Sequence, residues 1–187
     1  MKKLLRARYV LLIAGIALAA PLASAARLLE GCYQRIYDAA HLSAHKGQLA
    51  VRLTLSVTPA APATQVSKTH IADGALKVWV RGRKQSFDSL GACAAAAGGL
   101  LCGGSLSAAE ADTCKSKRDG VHEDCRMGGD DPGSFQIEAR GEDVLVTIRE
   151  RLELVPAPYD AGPFLYFSPA NAENHAFLLK RAPGACK

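Results

Sequence analysis

Phe135-Gln136-Ile137-Glu138-Ala139-Arg140-Gly141-Glu142-Asp143-Val144-Leu145-Val146-Thr147-Ile148 decides the fold. Apolar side chains alternate with polar ones on both sides of a short polar turn that contains a glycine. Alternation with period two places one face of each run toward a core, and the turn lets the second run return beside the first. The stretch predicts an antiparallel hairpin, continuing through Leu152 and Leu154 until Pro156 and Pro158 end it.

Other segments repeat this signal. In 48–57 (QLAVRLTLSV), Leu49, Val51, Leu53, Leu55 and Val57 fall on one face, and residues 58–66 read as a Pro-containing loop. Leu76, Val78 and Val80 alternate with Lys77, Trp79 and Arg81, up to Gly82. Further strands are expected at Ser86–Cys93 and Gly99–Leu106, with 94–97 ambiguous between helix and turn. A last pair is expected from Phe164–Phe167 and Ala176–Leu179 around the turn Ser168–His175. One segment breaks the pattern. In 27–46, Leu29, Cys32, Tyr33, Ile36, Ala40 and Ala44 recur at spacings of three and four, which predicts a helix that stops near Gly47. The fold class expected is mainly β: a small antiparallel barrel or sandwich with an N-terminal α-helix, stapled by disulfides.

The first 25 residues read as an export signal. Lys2, Lys3, Arg6 and Arg8 precede the apolar run Val10–Ala20, Pro21 breaks it, and Ala23-Ser24-Ala25 supplies small residues for cleavage. The run is too short to span a bilayer, and no later stretch is long and apolar enough. Residues 1–25 are therefore expected to be a signal peptide and 26–187 a single β-rich domain, periplasmic or secreted. The formal charge of +5 shrinks accordingly: without the four leader cations, 19 basic residues face 18 acidic ones. That near-balance excludes a nucleic-acid partner recognised by charge.

All six cysteines follow the leader, and an even number in an exported chain predicts disulfides. Six cysteines allow 15 pairings. Spacing favours Cys93 with Cys102, Cys114 with Cys125, and a terminal tie between Cys32 and Cys186. Cys-x-x-Cys is absent, so thiol redox, zinc-ribbon and haem-attachment chemistry lack their spacing.

Three groups of residues are candidates for chemistry. Asp38, His41 and His45 would share one face of a helix, where two imidazoles and a carboxylate can hold a divalent metal; a capped helix end with surface histidines explains them as well. The turn Ser168–His175 is dense in hydrogen-bonding groups and follows an aromatic strand. Tyr166, Asn171, Glu173, Asn174 and His175 are its candidate ligand contacts, although Asn and Pro also serve turns for local reasons. The acidic stretch 119–131 lacks calcium-loop spacing and reads as a solvated loop. No Gly-x-Ser-x-Gly elbow, phosphate-cradling loop or cofactor motif is present. The function expected is a non-catalytic exported domain that binds a ligand, glycan or protein in the envelope, in the manner of an inhibitor or binding module. The competing readings are a metal-dependent hydrolase using Asp38, His41 and His45, and a purely structural envelope protein.

Overall fold

The computed structural model describes residues 29–63, 65–103, 133–159 and 161–187. The leader, the acidic stretch 119–131, the pair Cys114 and Cys125, and the expected strand beyond Gly103 lie outside these residues.

Ten strands form one sheet system: β1 (Gly31–Ile36), β2 (Ala50–Pro59), β3 (Ala72–Val80), β4 (Ser86–Ala96), β5 (Gly99–Gly103), β6 (Ser134–Arg140), β7 (Asp143–Ile148), β8 (Leu152–Ala157), β9 (Leu165–Phe167) and β10 (Ala176–Arg181). Eight of them close an antiparallel barrel in the order β1-β2-β3-β4-β5-β6-β7-β10, with β10 back against β1. β8 lies against the first residues of β4, and β9 lies against β8. One short helix, α1 (Ala39–Ala44), sits between β1 and β2.

The hairpin that decides the fold is β6–β7. Arg140 faces Asp143 across a two-residue turn, and Gly141 takes the positive φ (+66°) that the first position of such a turn requires. Phe135 and Ile137 point inward from β6, as do Val144, Val146 and Ile148 from β7. They meet Tyr33, Leu53, Leu55, Phe87, Phe177 and Leu179 in one buried cluster. An eight-stranded barrel is just wide enough for its own side chains to fill it.

Two disulfides tie this core. Cys93 and Cys102 are opposed on β4 and β5, and their bond is buried inside the barrel. A Cβ at Gly74 would lie 3.0 Å from both sulfurs, so β3 makes room for the bridge with a glycine. Cys32 on β1 bonds Cys186 in the C-terminal tail.

The expected helix over 27–46 is corrected. Gly31–Ile36 is a strand; among the described residues of this segment, Leu29 and Ala39–Ala44 are helical. Local spacing loses here to pairing on both sides: β1 bonds β2 along its whole length and β10 at Tyr33 and Gln34. Tyr33 is buried, whereas Ile36, assigned to the same apolar face by the helical spacing, is 62% exposed.

β2 corrects a second expectation. A register shift between Ala50 and Arg52 against β3 resets the alternation. Ala50 is buried in place of Leu49, while Leu53, Leu55 and Val57 keep the inward face. Residues 94–96 continue β4 as strand.

Two pairings also differ from expectation. β7 stops at Ile148, because Arg149 and Glu150 both donate their N–H groups to Ser134 O and turn the chain away. Leu152–Ala157 then pairs with β4 rather than prolonging β7. Leu165–Phe167 pairs with β8, and Ala176–Arg181 fills the place between β1 and β7, so the two segments expected to pair together do not. Alternation marks which residues face inward; it carries no label for the neighbouring strand.

Every strand of the ring runs opposite to its neighbours, so the connections divide between two rims. One rim carries α1, the loop after β3, and the return from β7 to β10 through β8, β9 and the turn 168–175. The other carries the loop 60–71 and the tight turns after β4 and β6. The long functional-looking segments therefore share a rim.

Candidate functional site

α1 begins because Asp38 caps it: its side chain accepts a 2.7 Å hydrogen bond from His41 N. The carboxylate predicted as a metal ligand is thus engaged by the backbone. His41 and His45 lie one turn apart with their rings stacked, 4.3 Å between centroids and 26° between planes. Tyr37 stacks on His41 at 4.7 Å, and the Arg35 guanidinium lies 4.9 Å from the Tyr37 ring centroid. Arg35, Tyr37, His41 and His45 form a continuous stack across the rim.

The turn 168–175 closes the other side. Asn171 Oδ1 accepts from Glu173 N and from Asn174 Nδ2, and His175 Nδ1 donates back to the turn's own carbonyls at Asn171 and Ala172. Asn174 is fully buried. Its Oδ1 accepts from Leu49 N (2.8 Å) and Ala50 N (3.3 Å), and its Nδ2 donates to Gly47 O (2.9 Å). This one side chain fastens the turn to the segment after α1. It brings Glu173 Oε1 to 3.5 Å from His45 Nδ1. A side chain at position 47 would collide with the Glu173 carboxylate, so the glycine leaves room for it.

Between these walls lies a cleft of about 280 Å³, lined by Arg35, Tyr37, His41, His45, Gln48 and Glu173 with Leu178 and small alanines. Gln48 is buried; its Nε2 donates to Ala50 O, so its Oε1 accepts from His41 Nε2 at 2.9 Å. That bond places the proton of a neutral His41 on Nε2. Burial raises the Tyr37 hydroxyl above its ordinary range, and the Arg35 charge and Gln48 pull it only part of the way back. The hydroxyl is therefore a neutral phenol at physiological pH. The lining contains no serine, threonine or cysteine.

The structure thus brings His41, His45 and Glu173 to one cleft and spends Asp38, Asn171 and Asn174 on building it. Tyr166 stands outside it: the hydroxyl donates to Glu153 Oε2, and Arg151 lies 3.7 Å over its ring. Among the described residues, no group of three or more His, Cys, Asp or Glu side chains is placed to hold a metal ion. Sequence reasoning missed Arg35, Tyr37, Gln48 and Leu178. The spacing of Tyr37, His41 and His45, four residues each, was the available signal for the ring stack.

A second hollow, about 420 Å³, lies on the outer face of β2, β3 and β4. Three of its four charged groups, Arg52, Lys77 and Asp88, already have partners. Arg52 donates to the Gln34 side-chain oxygen and covers the Trp79 ring at 4.3 Å, and Lys77 Nζ lies 3.9 Å from Asp88 Oδ2. Asp88 Oδ1 is buried without a partner. Burial raises the Asp88 carboxyl above the usual carboxylate range, with Lys77 offsetting part of it. A folded-state value above the unfolded one makes the ionised form a liability. The penalty is fully present above the raised value and is relieved as pH falls through it. Asp88→Asn is expected to raise the melting temperature slightly at pH 7 and to remove the stability gained on moving to acid pH. Melting curves of both proteins across that range check this; a variant less stable than wild type at pH 7 contradicts it.

Among the described residues, no helix is long and apolar enough to cross a membrane. Comparison with protein-family models, with curated proteins and with solved structures finds no match.

Proposed function

We propose that the protein is an exported, non-catalytic binding module, whose barrel carries a small-molecule cleft on one rim. Export is supported by the leader pattern in residues 1–25 and by the two disulfides, which persist in oxidising compartments. The observation that carries the binding reading is the convergence of two segments more than a hundred residues apart. α1 with its flanks and the turn 168–175 are locked together by Asn174 into a cleft of stacked rings, with Glu173 and Leu178 opposite. Ligand sites are concave, largely preformed, and combine apolar walls with a few placed polar groups.

A panel of organic acids, amino acids and mono- and oligosaccharides tests the reading by thermal shift. A compound present at about 100 times its dissociation constant should stabilise the fold by about 2.7 kcal/mol. The shift should be lost in Tyr37→Ala and Glu173→Ala. A shift that survives both substitutions places binding elsewhere and contradicts the reading.

A further inference from the structure

We propose that the rim cleft recognises an oxyanion, with Arg35 as the residue that pairs with it. The inference rests on the cleft being the binding site and adds the chemistry of what binds.

Arg35 is near the end of β1, in the wall of the cleft. A guanidinium is charged at any physiological pH and carries five N–H donors. Folded proteins normally spend such a group on a carboxylate or on carbonyls. Here Arg35 Nε is buried and has no hydrogen-bond partner. No carboxylate lies within ion-pair distance of Arg35 among the described residues. A buried donor on a charged group without an acceptor is costly, and such groups mark either strain or function.

The surroundings decide between these. The Arg35 guanidinium lies 4.9 Å from the Tyr37 ring centroid and also interacts with the Tyr37 hydroxyl; neither contact neutralises its charge. Glu173, the one carboxylate in the lining, is turned to His45 and seated over Gly47. The Arg35 end of the cleft is therefore a fixed positive charge beside a polar phenol and the Gln48 amide. Leu178 and the alanines supply an apolar body to the same space. Other cations on the barrel do not repeat the arrangement: Lys180 pairs with Asp143, Arg140 with Glu138, Arg52 with Gln34. A planar oxyanion held by the terminal N–H groups of the Arg35 guanidinium, with a small body lying toward Leu178, fits this end of the cleft. A cleft of about 280 Å³ suits a molecule the size of a sugar acid or smaller.

The test is an NMR titration of the mature, disulfide-bonded protein with three probes: glucuronate, its neutral counterpart glucose, and inorganic phosphate. The Arg35 Nε–H resonance and the amides of 35–48 and 172–178 are followed. Glucuronate should shift both sets, and glucose should bind at least tenfold more weakly. Arg35→Gln should weaken glucuronate binding tenfold or more, and Arg35→Lys, which keeps the charge without the fork, should lie between. Retained folding of both variants is checked by their melting curves, and the Lys variant decides if the Gln variant does not fold. Phosphate binding as well as glucuronate assigns the site to oxyanions in general; glucuronate alone assigns it to carboxylates. Glucose binding in the cleft as tightly as glucuronate, with Arg35→Gln unchanged, overturns the inference and leaves the binding reading standing. Anion shifts centred on Arg52, Lys77 and Lys187, or no shift from either anion, also overturn it. In the last case the thermal-shift panel judges the binding reading separately.

Discussion

Replacing Cys32 and Cys186 together by serine is expected to lower the unfolding free energy by about 5 kcal/mol. The bond joins residues 154 apart, from β1 to the C-terminal tail. In the chain-entropy account it removes the largest loop-closure freedom the described cysteines can remove, and the cost scales with the logarithm of that loop. The native side should change little. β1 remains paired with β2 along its length and with β10 at Tyr33 and Gln34, and Ala182 N still donates to Cys32 O. The expected result is a domain with the same strand content that unfolds at much lower denaturant concentration. Guanidinium unfolding of the double variant beside the wild type measures this. A loss under about 1 kcal/mol would show that the unfolded chain is already held compact and that the tie is dispensable.

The second large effect is expected at Asn174. Truncation to alanine removes the acceptor for Leu49 N and Ala50 N and the donor for Gly47 O. The side chain is fully buried, so water does not readily replace it. At about 1–3 kcal/mol for each buried group left unsatisfied, the loss should reach about 3–5 kcal/mol. The site should fail with it, since the turn 168–175 would no longer be fastened beside α1 and Glu173 would leave His45. Asn174→Asp keeps the acceptor for the two N–H groups, but it loses the donor to Gly47 O and Asn171 Oδ1 and sets a buried carboxylate oxygen against both. At neutral pH it should therefore cost at least as much as alanine. Denaturant unfolding of both variants, with the His45 imidazole followed by NMR, reads stability and site geometry together. An Asp variant as stable as the wild type would mean that the Nδ2 donations contribute nothing.

Much of the barrel was legible in the chain. The alternation in 135–148 names the inward residues of β6 and β7, and Gly141 marks the turn between them. What failed was information that does not reside in local spacing. Residues 31–36 carry a pattern compatible with a helix, and only their two partner strands decide otherwise. The β2 register shift moves burial from Leu49 to Ala50, and a single extra residue in one strand leaves no mark in composition. The position of β8 against β4 is set by the turn at Ser134, not by alternation.

The site divides in the same way. The histidines of α1 and the polar turn 168–175 each stand out in the sequence, as candidates for different chemistry. Their meeting depends on Asn174 and Gly47, 127 residues apart, and no spacing rule reaches that far. Arg35 does not stand out in the chain because the spacing over 27–46 predicts a helix with Arg35 off its apolar face. Its importance appears only once the absence of an acceptor around Nε can be inspected.

The proposed binding site is one rim cleft, assembled from α1 and the turn 168–175. The most direct measurement is an amide chemical-shift map with the compound that raises the melting temperature most. Residues 35–48 and 172–178 should move together and saturate with one dissociation constant. Shifts confined to the outer face of β2, β3 and β4 around Trp79 and Leu90, with the rim unmoved, would contradict it.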